Sequence, residues 1–314
     1  MKTITVLIPA YNEEAVLPQL FARLKDLQKT IKKYRLEILF INDGSSDDTL
    51  TMIQREAKKN SSIAYVNLSR NFGKEAGMLA GFDYAKGDAV VIIDADLQDP
   101  PELIPQMIEL WEQGYDDVYA RRRSRQGETW LKKKTSEWYY RILQKSTRIP
   151  IQHDTGDFRL LDRRCIETLR LLRESQRNTK ALFSWIGFNK KELLYDRDPR
   201  AAGDTKWNYS KLVNLAIDGI TSFTTAPLRI ASVFGLIVSC LAFCYILYLV
   251  IRPLFGVPTG AGYSSLMAVI LFMGGVQMIF LGIIGEYIGR IFNETKQRPL
   301  YLIEEYHQAH DKKQ

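Results

Sequence analysis

Two stretches near the C-terminal end govern what this chain can become. Ile230 to Ile251 is 22 residues without a charged side chain, and Ser264 to Gly285 is 22 more. At about 1.5 Å of rise per residue, a helix of that length spans ~33 Å, close to the ~30 Å hydrocarbon core of a bilayer. Only Arg252 to Tyr263 separates the two runs, which makes them a hairpin. Two buried helices of a water-soluble core are the bland alternative, and two such runs side by side argue against it. Arg200, Lys206, Lys211 and Arg229 precede the pair, Arg290, Lys296, Arg298, Lys312 and Lys313 follow it, and Arg252 alone lies between. Positive-inside bias then places both termini in the cytoplasm and the short loop outside. The expected division is a cytoplasmic domain over 1–225, a membrane domain over 226–290 with spans at 230–251 and 264–285, and a cytoplasmic tail over 291–314. Gly285 and Gly289 form a small-xxx-small pair for close helix packing. Glu286 stands four residues before Arg290, the spacing of a helical ion pair.

The remaining residues are polar enough to be soluble. With 46% apolar and 25% charged residues the chain is neither disordered nor collagen-like. Its net charge of +7 is local. Arg121 to Arg148 holds ten basic and two acidic residues, so the rest is close to neutral. That pattern argues against a nucleic-acid coat. Trp130, Leu131, Trp138, Tyr139 and Ile142 are interleaved with these basic residues. Such a mixture predicts a helix over about 130–147 lying in a membrane interface, drawn to anionic headgroups. Trp207 to Phe223 reads as a second interfacial helix, over about 207–224. Cys165, Cys240 and Cys244 make no disulfide framework, which fits a reducing compartment. The N-terminal residues do not read as a secretory leader, because the apolar stretch Ile4 to Ala10 is short and contains Pro9.

Before the hairpin, strand and helix patterns alternate. Strands are predicted at Thr3 to Ile8, Glu37 to Ile41, Ile63 to Leu68, Ala89 to Ile93, Asp117 to Ala120 and Phe158 to Leu161. Helical spacing covers Glu14 to Ile31, and Asp47 is positioned to cap the helix after the second strand. Gly73, Gly77 and Gly81 recur every four residues, a spacing for close packing of a helix on a sheet. Pro100-Pro101 opens another helix. The alternation predicts an α/β fold with a mostly parallel sheet covered on both faces. Ligands of such sheets bind outside the carboxyl ends of the strands. Asn12-Glu13, Asp43, and Asp94 with Asp96 all fall at those ends and should converge in one crevice. No Gly-x-Gly-x-x-Gly or P-loop pattern occurs. Asp94-Ala95-Asp96, leaving an apolar strand, suits a hard divalent ion held together with a diphosphate. His153, His307 and His310 are scattered, so a soft-metal site has no basis.

Five motifs appear in order: Pro9-Ala10-Tyr11-Asn12-Glu13, Asn42-Asp43-Gly44-Ser45, Asp94-Ala95-Asp96-Leu97-Gln98, Thr155-Gly156-Asp157-Phe158-Arg159 and Lys206-Trp207. Together they resemble the inverting family-2 glycosyltransferases of the polyprenyl-phosphate type, which include dolichol-phosphate mannose synthases and bactoprenol glucosyltransferases. The resemblance covers nearly the whole chain, both apolar runs included. It implies a GT-A-type nucleotide-sugar-binding domain, two C-terminal transmembrane helices, a homo-oligomer in the inner membrane, and Mg²⁺ or Mn²⁺ as cofactor. It also implies roles. Pro9, Tyr11 and Glu13, with Ile41 and Ala95, would form the nucleotide pocket, and Asp43 would accept hydrogen bonds from the base. Asp94 would face the ribose and the metal, with Asp96 and Gln98 completing the metal set. Arg200 and Lys206 would meet the donor diphosphate. Arg122, with Lys132 and Lys133 behind it, would contact the acceptor phosphate. Asp157 matches the position of a catalytic base.

The expected reaction is transfer of a hexose, UDP-glucose being the first candidate donor, to undecaprenyl or another polyprenyl phosphate, with inversion, on the cytoplasmic leaflet. The product would serve cell-surface polysaccharide glycosylation. A phosphomonoester acceptor has a second pKa of ~6 and is largely dianionic at neutral pH, so it needs little deprotonation. Another donor sugar (N-acetylglucosamine, mannose or a modified arabinose) and a non-catalytic anchor binding nucleotide sugars or lipids are the alternatives. Intact Asp94, Asp96 and Asp157 argue against the anchor.

Overall fold

The structure is a computed structural model, and it describes residues 1–123, 155–196, 226–251 and 262–309. Expected features at 130–147 and 207–224, and Lys132, Lys133, Arg200 and Lys206, lie outside those residues. The described elements are β1 (Thr3–Ala10), α1 (Leu17–Thr30), β2 (Arg35–Asn42), α2 (Thr49–Lys59), β3 (Ile63–Leu68), α3 (Lys74–Tyr84), β4 (Ala89–Ile92), a 3-10 turn (Pro101–Leu103) and α4 (Ile104–Glu112). They continue with β5 (Asp117–Arg122), β6 (Thr155–Asp162), α5 (Arg163–Leu171), α6 (Thr179–Trp185), β7 (Lys190–Tyr195), α7 (Ala226–Ile251), α8 (Tyr263–Thr295) and β8 (Ile303–His307). The chain divides into two units, the second of which holds α7 and α8.

In the first unit eight strands form one sheet in the order β7-β5-β6-β4-β1-β2-β3-β8. β1 pairs in parallel with β2 and β4, β2 with β3, and β5 with β7. β6 runs antiparallel between β4 and β5, and β8 antiparallel along β3. The sheet is therefore mostly parallel, with two reversed strands that the alternation of patterns did not predict. The central strands are apolar on both faces because both are covered. Ile4, Val6 and Ile8 of β1 join Leu17, Leu20 and Leu24 of α1 and Met107 of α4 in one core. Leu7 points the other way, against α3. A Cβ on Gly81 would sit 2.9 Å from Leu7 Cγ and nearer still to both its methyl groups. A Cβ on Gly77 would meet Ile41 Cγ2 at an ordinary 3.8 Å. Of the three regularly spaced glycines, Gly81 is thus the one that close packing demands.

Helix α2 starts one residue later than the capping expectation supposed. Asp47 still serves its first turn, accepting the Thr49 N–H at 3.1 Å. On β5 and β6, Arg159 and Asp117 form an ion pair at 3.0 Å with side chains 1% and 0% exposed. The Arg159 guanidinium also stacks 3.8 Å over the Phe183 ring of α6. A pair so desolvated is held by its geometry, and losing either partner strands a charge.

After α8 the chain re-enters the sheet. Glu305 accepts from Tyr65 at 2.6 Å and Gln54 at 2.9 Å, Glu304 accepts from Asn67 at 2.8 Å, and Tyr301 donates to Asp83 at 2.5 Å. His307 stacks on Tyr65 at 5.2 Å between ring centroids. The tail thus covers the edge of β3, which would otherwise present unpaired backbone groups.

In the second unit, Phe234 of α7 meets Phe280 of α8 edge-on at 6.0 Å. Arg290 pairs with Glu286 at 2.7 Å, as their spacing predicts. Ser265–Thr295 is long and apolar enough to cross a membrane, with none of its most apolar stretch buried. Within α7 the apolar stretch Ile230–Tyr245 is shorter.

Two measurements test this packing. Gly81→Ala should cost about 1–3 kcal/mol by overpacking against Leu7 and lower the thermal midpoint of the purified protein by roughly 2–12 °C, whereas Gly77→Ala should leave it within a degree or two. A chain stopped after Gln297 should elute as aggregate in size-exclusion chromatography and melt earlier, because the β3 edge is uncovered.

Candidate active site

The site begins with how three turns lock together at the carboxyl ends of β1, β2 and β3. After β1 the chain reverses at Asn12, in the left-handed region at φ 55°. Asparagine tolerates that region better than most residues. Its N–H donates to Ser45 Oγ at 3.0 Å, and its Oδ1 accepts the Ser46 N–H at 2.8 Å. Gly44, at φ 63°, lets the second turn press against the third. A Cβ there would lie 2.8 Å from Arg70 Cα and nearer still to its carbonyl carbon. That approach brings Asp43 to the third turn, where Oδ1 accepts the Phe72 N–H at 2.7 Å and Oδ2 the Gly73 N–H at 2.9 Å. Burial pushes the Asp43 carboxyl above its ordinary value, and the two amide donors only partly oppose this. Each oxygen keeps a second lone pair for a ligand.

A fourth turn follows β4. Asp94 and Asp96 flank the buried Ala95, and Leu97 is held at φ 60°. A buried leucine in the left-handed region is strained, as backbone at functional sites often is. Asp96 Oδ1 accepts the Gln98 N–H at 3.1 Å, which fixes this turn from within.

These turns enclose a cleft of about 300 Å³ lined by Pro9, Tyr11, Glu13, Asp43, Asp94, Ala95 and Asp96 among others. Seven of the residues singled out in the sequence are thus brought to one place. Ile41 is not among them: its side chain is fully buried in β2 beneath α3, so it has no surface to offer a ligand. Gln98 also lies off the lining and acts through its backbone on Asp96.

Lys74, the first residue of α3, lines the cleft as well, and the sequence reading missed it. Its Nζ lies 2.6 Å from Asp94 Oδ1 and 2.6 Å from Asp157 Oδ2. The available signal was its place, directly after Gly73 in the turn that follows a parallel strand. Burial alone would lower the Lys74 pKa, but the two carboxylates outweigh it and hold the ammonium charged. Asp157 sits inside β6, with its residue 6% exposed. Burial would raise its pKa, yet Lys74, Lys180 and Arg159 bring it below the ordinary value. Asp157 Oδ1 and Arg122 Nε are both buried without a hydrogen-bond partner among the described residues. A Cβ on Gly156 would be 3.8 Å from an Arg122 guanidinium nitrogen, so Arg122 of β5 lies alongside the Asp157 segment.

Asp94 and Asp96 present hard oxygen donors at one cleft. Among the described residues no group of three or more His, Cys, Asp or Glu gathers to hold an ion by itself. This donor set fits a magnesium-like ion, which binds through one or two carboxylates, water and substrate phosphates rather than in an all-protein cage.

Residues 5–170 match the Glycosyl transferase family 2 domain, and residues 226–291 match the GtrB C-terminal hairpin. The chain belongs to glycosyltransferase family 2. Its sheet is accordingly of the GT-A type, and the protein is a transferase enzyme. An uncharacterized glycosyltransferase of Synechocystis sp. is 50% identical over 301 residues, 96% of this chain and 94% of that one. A bactoprenol glucosyl transferase of Shigella phage SfII is 44% identical over 307 residues, 98% of this chain and 99% of its own. Among solved structures, the glucosyl-3-phosphoglycerate synthase of Mycobacterium tuberculosis, with Mn²⁺, UDP and glucosyl-3-phosphoglycerate, is 19% identical with a TM-score of 0.46, covering 70% of this chain and 78% of that one.

The depressed Asp157 pKa has a stability signature. A carboxyl whose folded pKa lies below its unfolded value stabilises the fold above about pH 3.9 and loses that contribution as pH falls through the folded value. The thermal-midpoint difference between wild type and Asp157→Asn should therefore be largest near neutrality and shrink in the acid range. A difference independent of pH would contradict it.

Proposed function

We propose that this glycosyltransferase moves a hexose, with UDP-glucose as the first candidate donor, to undecaprenyl phosphate or a similar polyprenyl phosphate, at the cytoplasmic leaflet and with inversion. The observation that carries this reading is the presence in one chain of an acidic cleft bordered by Asp157 and of an apolar helical hairpin with its surface uncovered. The near full-length similarity to bactoprenol glucosyl transferases supports the acceptor.

The acceptor phosphate supplies an anionic oxygen as nucleophile. That oxygen attacks the anomeric carbon, the bond from that carbon to the donor diphosphate breaks, and the nucleoside diphosphate leaves from the opposite side, inverting configuration. Little base is needed, because the phosphate is already largely dianionic at pH 7. A carboxylate held low by neighbouring cations is a weak base, so Asp157 serves to orient the acceptor. Arg122, whose Nε has no hydrogen-bond partner among the described residues, offers the positive charge that a phosphate beside Asp157 requires. Pro9, Tyr11, Glu13 and Asp43 hold the nucleotide, and Asp94 and Asp96 would hold Mg²⁺ or Mn²⁺, which would supply positive charge at the departing diphosphate. Lys132, Lys133, Arg200 and Lys206 are proposed as further phosphate contacts.

The two-span topology draws support from β8. Strands from before and after the hairpin share one sheet, so both ends of the hairpin belong on one side of the membrane. The excess of Lys and Arg in those flanks makes that side the cytoplasm.

The test is a donor panel. Membranes containing the protein, polyprenyl phosphate and radiolabelled UDP-glucose should yield label in the lipid fraction, and Asp96→Ala should lower that yield by about 100-fold or more. Label from another donor alone would replace the sugar assignment. No label from any donor would overturn the reading.

A further inference from the structure

Among the described residues, Lys74 is the one cation lining a cleft that also exposes Glu13, Asp43, Asp94 and Asp96. Its contacts are not with a surface carboxylate across solvent but with the two sides of the site. Asp94 lies in the turn that follows β4, and Asp157 lies on the neighbouring antiparallel strand β6. The register pairs Ile92 with Arg159, so Asp94 and Asp157, each two residues further toward the cleft, come level with one another. Like charges opposed across two strands repel. The Lys74 ammonium stands between them, 2.6 Å from each. It is also the one hydrogen-bond partner of Asp157 among the described residues, since the other carboxylate oxygen is buried with none.

The backbone of Lys74 is itself tied down. Gly73, at φ 95°, donates its N–H to Asp43 and immediately precedes α3, so the same turn that serves the nucleotide side aims the lysine. The next residue, Glu75, is half-buried and accepts the Thr179 N–H of α6 at 2.8 Å. The helix start is therefore fixed from both sides, and the lysine side chain is the part that spans the gap.

We propose that Lys74 is a positioning residue for the transfer, holding the Asp157 carboxylate at the junction of the donor cleft and the acceptor side and screening it from Asp94. This rests on the acceptor-orienting role proposed above for Asp157. A lysine in this place acts on turnover through Asp157 and contributes little to holding the nucleotide.

A double-mutant cycle in the membrane transfer assay tests it. Lys74→Met should lower kcat by about 10- to 100-fold, with UDP affinity in the presence of Mn²⁺ unchanged within about threefold. Lys74→Arg should recover most of the loss. In an Asp157→Asn background, Lys74→Met should cause no further loss. Multiplicative losses in the cycle, a loss confined to UDP affinity, or wild-type turnover in Lys74→Met would each overturn the inference while leaving the transfer reaction standing. Retained UDP binding shows that the variant has kept its fold. Failure of the wild type to label lipid would overturn the underlying reading, and this inference with it.

Discussion

Bringing negative charge together in one cleft is the constraint under which this structure is built. Glu13, Asp43, Asp94 and Asp96 face one cleft, with Asp157 just behind it. Carboxylates left so close together without partners would repel one another and force the turns apart. Four of them have a partner of matching chemistry: two backbone amides for Asp43, an amide for Asp96, and a shared ammonium for Asp94 and Asp157. The arrangement is balanced in the resting protein yet leaves lone pairs and an uncovered entrance for a ligand that brings its own charges.

The scaffold supplies the precision this balance requires. The parallel strands end at one level, and their turns bond to one another more than to solvent, as the Asn12 contacts with Ser45 and Ser46 show. Deeper in the sheet, the dry Arg159–Asp117 pair pins β6 to β5 two residues from Asp157. The Phe183 ring packed on that guanidinium carries the restraint into α6. Displacement of β6 would break a pair with no water to replace it.

The central sheet was legible because buried parallel strands are apolar runs, and β3 occupies the residues its run predicted. Other strands extend past their apolar cores, as β6 does to Thr155 and Asp162, because backbone pairing continues where side chains turn polar. The reversal of β6 could not be read, since the helix pattern over about 130–147, between Arg122 and Thr155, suits a connection to a parallel or an antiparallel strand alike. Strand β8 was invisible for a different reason: Ile303-Glu304-Glu305-Tyr306-His307 is a polar edge strand recognisable only by its partner. The acidic turns announced the cleft, because carboxylates at strand ends share a location whatever the loops do. A lysine at the start of a helix reads as solvated until the fold sets two aspartates around it.

The position of β8 in the chain has a consequence for biogenesis. Tyr65 and Glu305, bonded across the last strand pair, are 240 residues apart in sequence. During synthesis the first seven strands can assemble while the ribosome is still translating the hairpin, but the eighth arrives only after both apolar helices have emerged. Completion of the sheet therefore waits on the whole hairpin: a copy cut short or held up within those helices would keep a raw sheet margin, the kind of defect that quality-control proteases and chaperones are equipped to find.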